Sequence, residues 1–481
     1  MFGVQVRPFF LSEQSPNTFN KTLRSESKMN NEKHETSEIN TPEGGSKLTK
    51  ESYIANQLEL KQHISITDLE KWLNLTIKHD NKNKVICFLS MLLTYTDQNQ
   101  LNIAFNAESS SGKSYIPLQL SNLFPPDDIQ IQAYTSPTAF FHEQGEWDEI
   151  RKLKKIDLSR RIIIFLDMPH DQLLQRLRPL LSHDRKEILV KITDKSKARG
   201  LSTKSVIIIG FPTVIFCSTS FSMDQQERTR VLLLSPEVTP EKINASIDLI
   251  SRKQANRKKY DQEIETDLGR FFLQNRIYDI KKANLSDVII PEELREILVH
   301  RFKADHKHLI PRHQRDFPRL VSLVKAMVLL NLHQHEKIGD NLVAMEEDVE
   351  DAYVIYKSIS KSNELGIPPE VYDFYEKVFC IEVAKIIEVE VEIWCEKENS
   401  FGNFTRMRET KLENQTKGYA SKKDLAKSYY DVFHGTIGQK RLNRIIKLLL
   451  ECGLILESRD PDDGRVLIYS HPAGYISKVE T

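Results

Sequence analysis

The chain has 481 residues, room for two or three domains, and its 68 basic residues are matched by 68 acidic ones. A zero balance excludes a global field as the means of holding nucleic acid, so any such contact has to come from local patches. Five scattered cysteines (Cys87, Cys217, Cys380, Cys395, Cys452) with no CxxC pair argue against a zinc or disulfide framework and fit a reducing, cytoplasmic compartment. The longest apolar run, Val206 to Cys217, is too short to cross a bilayer and is broken by Gly210 and Pro212, so no membrane partner is expected. The N-terminus lacks the basic-apolar-small pattern of a secretory signal.

Residues 1–50 are rich in Ser, Asn, Glu, Lys and Thr and bury too little apolar surface to offset ordering, which predicts a disordered tail. Helical periodicity runs from Ile54 to Leu92, with Ser65, Thr67 and Asp68 as start signals. Residues 101–234 then alternate short β-branched runs with amphipathic segments, the mark of an α/β fold with a parallel sheet; the domain is expected to span 51–238. Its strands are Leu101–Phe105, Ile129–Tyr134, Arg161–Leu166, Val214–Cys217 and Val231–Leu234. Glu187 to Gly210 alternates around a polar tip and reads as a β-hairpin.

The first strand runs into Ala107-Glu108-Ser109-Ser110-Ser111-Gly112-Lys113-Ser114, followed by a helix-compatible stretch from Tyr115. That strand–loop–helix context is the setting of a P-loop, whose amides and following helix cradle a triphosphate. Lys113 is placed to reach the β- and γ-phosphates, and Ser114 to hold Mg²⁺. Ala107 stands where the first glycine usually sits. The strand Ile162 to Leu166 ends in Asp167, a carboxylate at the sheet edge that suits a magnesium ligand, with a cap for the next helix as the other reading. No glutamate follows it; Met168, Pro169, His170 and Asp171 do. Ser218 and Thr219, at the tip of the next strand, are candidates to sense the γ-phosphate or attacking water. Arg230, just ahead of Val231–Leu234, is placed to meet the γ-phosphate of a neighbouring subunit or to form a surface ion pair with Glu227.

Residues 239–360 read as helical and 361–415 as a helical linker, with helix expected from 366 to 398 and a polar break from Glu396 to Thr416. In the last segment, 416–481, one amphipathic helix spans Ser421 to Phe433 and a second spans Gln439 to Cys452, ended by Gly453. Two short strands then flank the turn Asp460 to Gly464. Helix–turn–helix plus hairpin resembles a winged helix. Lys440, Arg441 and Arg444 on the second helix give it a basic face suited to a DNA major groove.

The order of phosphate loop, acidic strand, hairpin, polar strand tip and Thr229-Arg230 before an apolar strand resembles an AAA+ ATPase. More narrowly, it resembles the MCM-like helicases of archaeal and bacterial mobile elements. Residues 315–326 (Arg-Asp-Phe-Pro-Arg-Leu-Val-Ser-Leu-Val-Lys-Ala) resemble the lid helix of that group, and Glu346-Glu347-Asp348-Val349 the start of the lid's last helix. The resemblance covers about residues 80 to 360. It implies ATP and Mg²⁺ as cofactors, a homo-oligomeric ring, helicase activity on DNA during replication, and a nucleotide contact from Arg315 with Arg319 as the alternative. It also implies that the hairpin tracks DNA phosphates through Lys191, Lys195, Lys197, Arg199 and Lys204. The missing glutamate points to the other expectation, an ATP-switched DNA-binding regulator with slow hydrolysis and no unwinding.

Overall fold

The computed structural model describes residues 61–133, 145–194, 202–218, 228–306, 309–398, 404–460 and 463–472. The expected N-terminal tail lies outside them. Ser65 starts helix α1 (Ile66–Leu73) with a reciprocal cap: its hydroxyl accepts the Asp68 amide at 3.1 Å, and the Asp68 carboxylate accepts the Ser65 amide at 3.4 Å. Helix α2 (Asn81–Leu92) is buried from Asn83 to Leu92, as a helix threaded through a core must be.

β1 (Ile103–Asn106) enters the phosphate loop and α3 (Tyr115–Ser121) leaves it. β2 (Ile129–Gln132), β3 (Glu146–Asp148), β4 (Leu153–Asp157) and β5 (Ile162–Phe165) follow, then α4 (Asp171–Leu181). β6 (Glu187–Asp194), β7 (Ser202–Ile209), β8 (Thr213–Ser218) and β9 (Leu232–Leu234) complete the region. Five of these strands form one all-parallel sheet in the order β2-β5-β8-β1-β9. The expected five strands are present, each shifted, trimmed or extended by a residue or two at its ends.

Period-2 alternation sends side chains of this sheet to two separate cores. Ile103, Phe105, Ile162, Ile164, Ile215, Leu232 and Leu234 join the helices on one face. Ala104, Ile163, Phe165, Val214, Phe216 and Leu233 join α4 and a second sheet on the other. That second sheet has the order β3-β4-β7-β6. The expected hairpin is therefore real in its backbone, with β6 and β7 antiparallel, but it is not isolated, because β7 also pairs with β4 in parallel. Gly210 turns the chain out of β7 at φ +86°; a Cβ there would lie 2.5 Å from the Ser159 backbone nitrogen, so only glycine fits.

The helical region comprises α5 (Pro240–Ala255), α6 (Arg257–Glu265), α7 (Leu268–Ala283), α8 (Glu292–Asp305), α9 (His313–Leu330) and α10 (Glu346–Leu365). It is not helical throughout. β10 (Asp287–Ile289), β11 (Lys337–Ile338) and β12 (Asn341–Val343) form a small sheet between the helices. Asn363 of α10 seals the edge strand β9: its Oδ1 accepts the Leu233 amide at 2.7 Å and its Nδ2 donates to the Leu233 carbonyl at 3.1 Å.

The largest departure from expectation lies between 366 and 416. Helix α11 (Pro369–Phe374), a π-turn at Tyr375–Phe379 and α12 (Cys380–Val383) end early, and residues 386–398 are strand, not helix. β13 (Ile386–Glu398) pairs antiparallel with β14 (Phe404–Thr416) along its full length. The cause is legible: Ile387, Val389, Val391 and Ile393 alternate strictly with Glu388, Glu390 and Glu392, a period of two rather than 3.6. The linker at 361–415 is likewise corrected. Val371, Phe374, Tyr375, Val378 and Phe379 share one core with Leu425, Tyr429, Leu442, Ile445, Ile446, Leu449 and Tyr469, so the C-terminal domain begins near Ile367 and carries the ribbon as an insertion.

Within that domain β15 (Tyr419–Ser421) leads to α13 (Lys422–Phe433) and α14 (Gln439–Glu451), and β16 (Leu456–Arg459) and β17 (Leu467–Ser470) close a sheet of order β15-β17-β16. Gly453 follows α14 at φ +73°, the left-handed stop that its position predicted. Residues 56–481 form one compact unit. Among the described residues no helix is long and apolar enough to cross a membrane.

Candidate functional site

All five strands of the parallel sheet end on one edge, and the loop 107–114 leaves from it. Asn106 stands opposite Ser218, and the ladder continues one step further, where the Ala107 amide donates to the Ser218 carbonyl at 3.3 Å. Phe165 stands opposite Phe216, so Asp167, two residues on, is level with Ser218. Asn106, Ser218 and Asp167 thus occupy one row across three adjacent strands, about 5 Å apart per step. The parallel register alone brings the acid to the loop.

One buried thiol reports the convergence. Cys217 is fully buried beneath the loop, its Sγ 3.5 Å from the Lys113 carbonyl. Burial pushes the thiol up to about 12; the Ser114 hydroxyl, by hydrogen bond, and the Lys113 ammonium pull it down, while the Asp167 carboxylate pushes it up. Lys113, Ser114 and Asp167 therefore act on the same atom. Asp167 does not cap α4: His170 does, accepting the Gln172 amide at 3.2 Å. The Asp167 carboxylate is exposed, with Oδ1 taking the Met168 amide at 2.9 Å.

The loop is shaped for an anion. Ser110 and Gly112 take φ of +66° and +96°, which turn successive amides toward one side. Lys113 is buried and donates to the Glu108 carbonyl at 3.3 Å; among the described residues no carboxylate forms an ion pair with it. Beside the loop lies a cavity of about 480 Å³. Ile77, Ile116, Val238, Ile243 and Ile247 give it an apolar wall, and Ile243, Ile247 and Ile250 fan along one face of α5. An apolar cleft joined to an anion cradle is what a nucleotide requires. The hydroxyl at Ser114 and the carboxylate at Asp167 are hard oxygen donors of the kind Mg²⁺ takes.

Lys242 and Asp80 belong to this site and were not evident in the sequence. Thr239 caps α5 and Pro240 opens it, which puts Lys242 in the first turn. Its ammonium donates to the Ser111 carbonyl at 3.0 Å and to the Glu237 carbonyl at 2.8 Å, and pairs with the buried Asp80. No sequence spacing links residue 242 to residue 111; packing does.

Other expected site residues lie elsewhere. Thr219, Lys195, Lys197 and Arg199 fall outside the described residues. Lys204 stands opposite Ile192 in the hairpin, and the placement of its side chain is likewise outside them. Arg230, expected to meet a neighbouring subunit's nucleotide or Glu227, and Arg315, expected to contact nucleotide, both lie away from the loop of their own chain. β9 begins level with Ile103, so residues 229–231 lie at the N-terminal edge of the sheet, one strand length from Lys113, roughly 13 Å for four residues. There Arg230 Nε donates to Ser182 Oγ at 2.5 Å, Arg315 contacts the Thr229 hydroxyl, and Arg319 donates to the Thr229 and Val231 carbonyls, each at 2.8 Å. Arg319 is buried and paired with Asp316 at 2.7 Å, which makes it a strut for this edge.

The basic face of α14 is also corrected. Lys440 is exposed, but Arg441 pairs with Glu370 at 2.9 Å and Arg444 contacts Asn106 Oδ1, at the mouth of the phosphate loop. Leu442, Ile445, Ile446 and Leu449 face the domain's own core as expected; of the cations intended for a groove, Arg441 pairs within its own domain and Arg444 reaches the domain of the parallel sheet.

No family model matches the chain, and no curated protein matches it.

One further cluster has the residue types of a metal site. His306, His313 and Glu364 bring ligand atoms together. However, His313 Nδ1 accepts the Ile310 amide at 3.2 Å, which leaves the proton on Nε2 for Glu364, 3.0 Å away. A ligating Nε2 would need that lone pair, so the cluster reads as a hydrogen-bonded brace.

Proposed function

We propose that the chain is an ATP- and Mg²⁺-dependent AAA+ motor of the MCM-like type, working in the cytoplasm as a homo-oligomeric ring on DNA during replication of a mobile element. The observation that carries this reading is geometric: the loop bearing Lys113 and Ser114 leaves the same edge of the parallel sheet at which β5 runs into Asp167, with the Cys217 thiol of the strand between them 3.5 Å from the Lys113 carbonyl. The parallel sheet, with an acid and a hydroxyl on the strands beside the loop, supports an AAA+ core, and α5 to α10 support its helical lid. Helices α13 and α14 and the three-stranded sheet β15-β17-β16 support a C-terminal winged helix.

In this reading the loop amides and Lys113 hold the β- and γ-phosphates, and the base lies against Ile77, Ile116 and Ile243. Ser114 and Asp167 hold Mg²⁺, which neutralises phosphate charge when bound. Ser218 and Thr219 sense the γ-phosphate or the attacking water. Arg230 and Arg315, at the opposite edge, meet the nucleotide of a neighbouring subunit rather than their own. The hairpin residues Lys195, Lys197, Arg199 and Lys204 follow the phosphates of one DNA strand.

A second reading is an ATP-switched DNA-binding regulator with slow hydrolysis. Two observations favour it: Met168 follows Asp167 where a water-activating acid would serve, and Arg444 contacts Asn106 beside the phosphate loop while Arg441 pairs with Glu370 of its own domain. Retention of labelled ATP by wild type and by Lys113→Ala tests the shared premise. Wild type binds and the variant loses about tenfold or more in affinity. Equal retention would leave only a scaffold.

A further inference from the structure

The C-terminal domain reaches the proposed nucleotide site, and what it brings there is positive charge. Arg444 contacts Asn106, which is 3 % exposed and is the last residue of β1 before the loop. Arg441 Nε lies 2.9 Å from Glu370 Oε1, and the two side chains are only 14 % and 18 % exposed. Both line the same cavity as Ser109 to Gly112. Burial lowers the Arg441 guanidinium; Glu370, Tyr429 and the loop residue Glu108 together outweigh it and hold the group above its ordinary range. The Tyr429 ring sits under it at 5.8 Å, fixing the direction of approach.

A guanidinium held at the loop's mouth by a carboxylate has an obvious competitor. A polyphosphate offers the same planar fork more charge and more oxygen acceptors. We propose that Arg441 is a phosphate-binding residue of the nucleotide site, supplied by the C-terminal domain of the same chain, and that it exchanges Glu370 for the terminal phosphates when a triphosphate binds. Arg444, anchored on Asn106, holds α14 in register for that exchange. The proposal rests on the nucleotide reading above and extends it: the site is completed by a domain whose basic helix face pointed first to DNA.

The test is a calorimetric titration of the full chain with AMPPNP and, separately, AMP, in the presence of Mg²⁺. Arg441→Ala weakens AMPPNP by about tenfold and AMP by less than about twofold, because only the triphosphate presents the terminal phosphates. Arg441→Lys recovers part of the loss. Glu370→Gln has the opposite sign and tightens AMPPNP by about threefold, since it frees the guanidinium. If Arg441→Ala binds AMPPNP like wild type, or if Glu370→Gln and Arg441→Ala weaken it alike, the ion pair is only a structural clasp and the proposal is overturned. Lys113→Ala separates the two levels. A wild type that binds no AMPPNP, or a Lys113→Ala variant that binds as well as wild type, removes the nucleotide reading and the proposal with it. Loss in Lys113→Ala with no change in Arg441→Ala removes the proposal alone.

Discussion

Lys242 donates to the Ser111 carbonyl at 3.0 Å, so the first turn of α5 and the phosphate loop are tied by a single ammonium. The same ammonium neutralises Asp80, which is 1 % exposed and also accepts the Glu237 amide at 2.7 Å. The loop, the start of the helical region and the α1–α2 turn are therefore one electrostatic unit.

Removing one half of that unit is expected to cost more than removing both. Lys242→Met strands a buried carboxylate and is expected to cost about 3 kcal/mol. The double variant Asp80→Asn with Lys242→Met recovers a large part of it, because no unpaired charge is left. Urea unfolding of the four proteins in this cycle gives the answer. Purely additive losses would mean that the pair contributes no coupling.

Arg230 is predicted to act across a subunit boundary. It sits a strand length from the Lys113 of its own chain, so an intact site needs one subunit's loop and another's arginine. Arg230→Ala and Lys113→Ala are each expected to lose turnover of ATP, and a mixture of the two to regain part of it. A mixture as inactive as its components would assign Arg230 a role within its own subunit.

His183 predicts a specific weakness in acid. Its ring lies edge-on to Phe211 at 4.9 Å, and burial lowers its pKa to about 4. The unfolded chain takes up a proton below about pH 6.5 that the folded chain refuses until much lower pH. Stability present above pH 6.5 is therefore lost as pH falls toward 4, by at most about 3 kcal/mol from this group. His183 takes φ +54°, so Asn is the replacement the backbone tolerates best. His183→Asn is expected to flatten the decline in urea midpoint between pH 7 and 4.5. Parallel declines in the two proteins would assign the acid sensitivity to other groups.

The sheet was readable because its strands are short, apolar on both faces and bounded by polar turns, as in Ile162 to Phe165. Lys113, Ser114 and Asp167 were readable because each follows such a strand, and parallel strands put every C-terminal end on one edge. Ile386 to Glu398 is strand where helix is expected: its glutamates favour helix, but its period of two and its pairing with β14 decide. Lys242, Asp80 and Glu370 left no local trace: each acquires its role only when distant segments pack. Arg441 and Arg444 show the limit of an amphipathic pattern. It says which face of α14 is polar, not whether water, DNA or another domain meets it.

The most direct test of the motor is steady-state turnover of Mg·ATP with and without single-stranded DNA, by wild type and Asp167→Asn. The account predicts a several-fold rise with DNA in wild type and no turnover in the variant. Turnover that ignores DNA, or that survives loss of the Asp167 carboxylate, would contradict it.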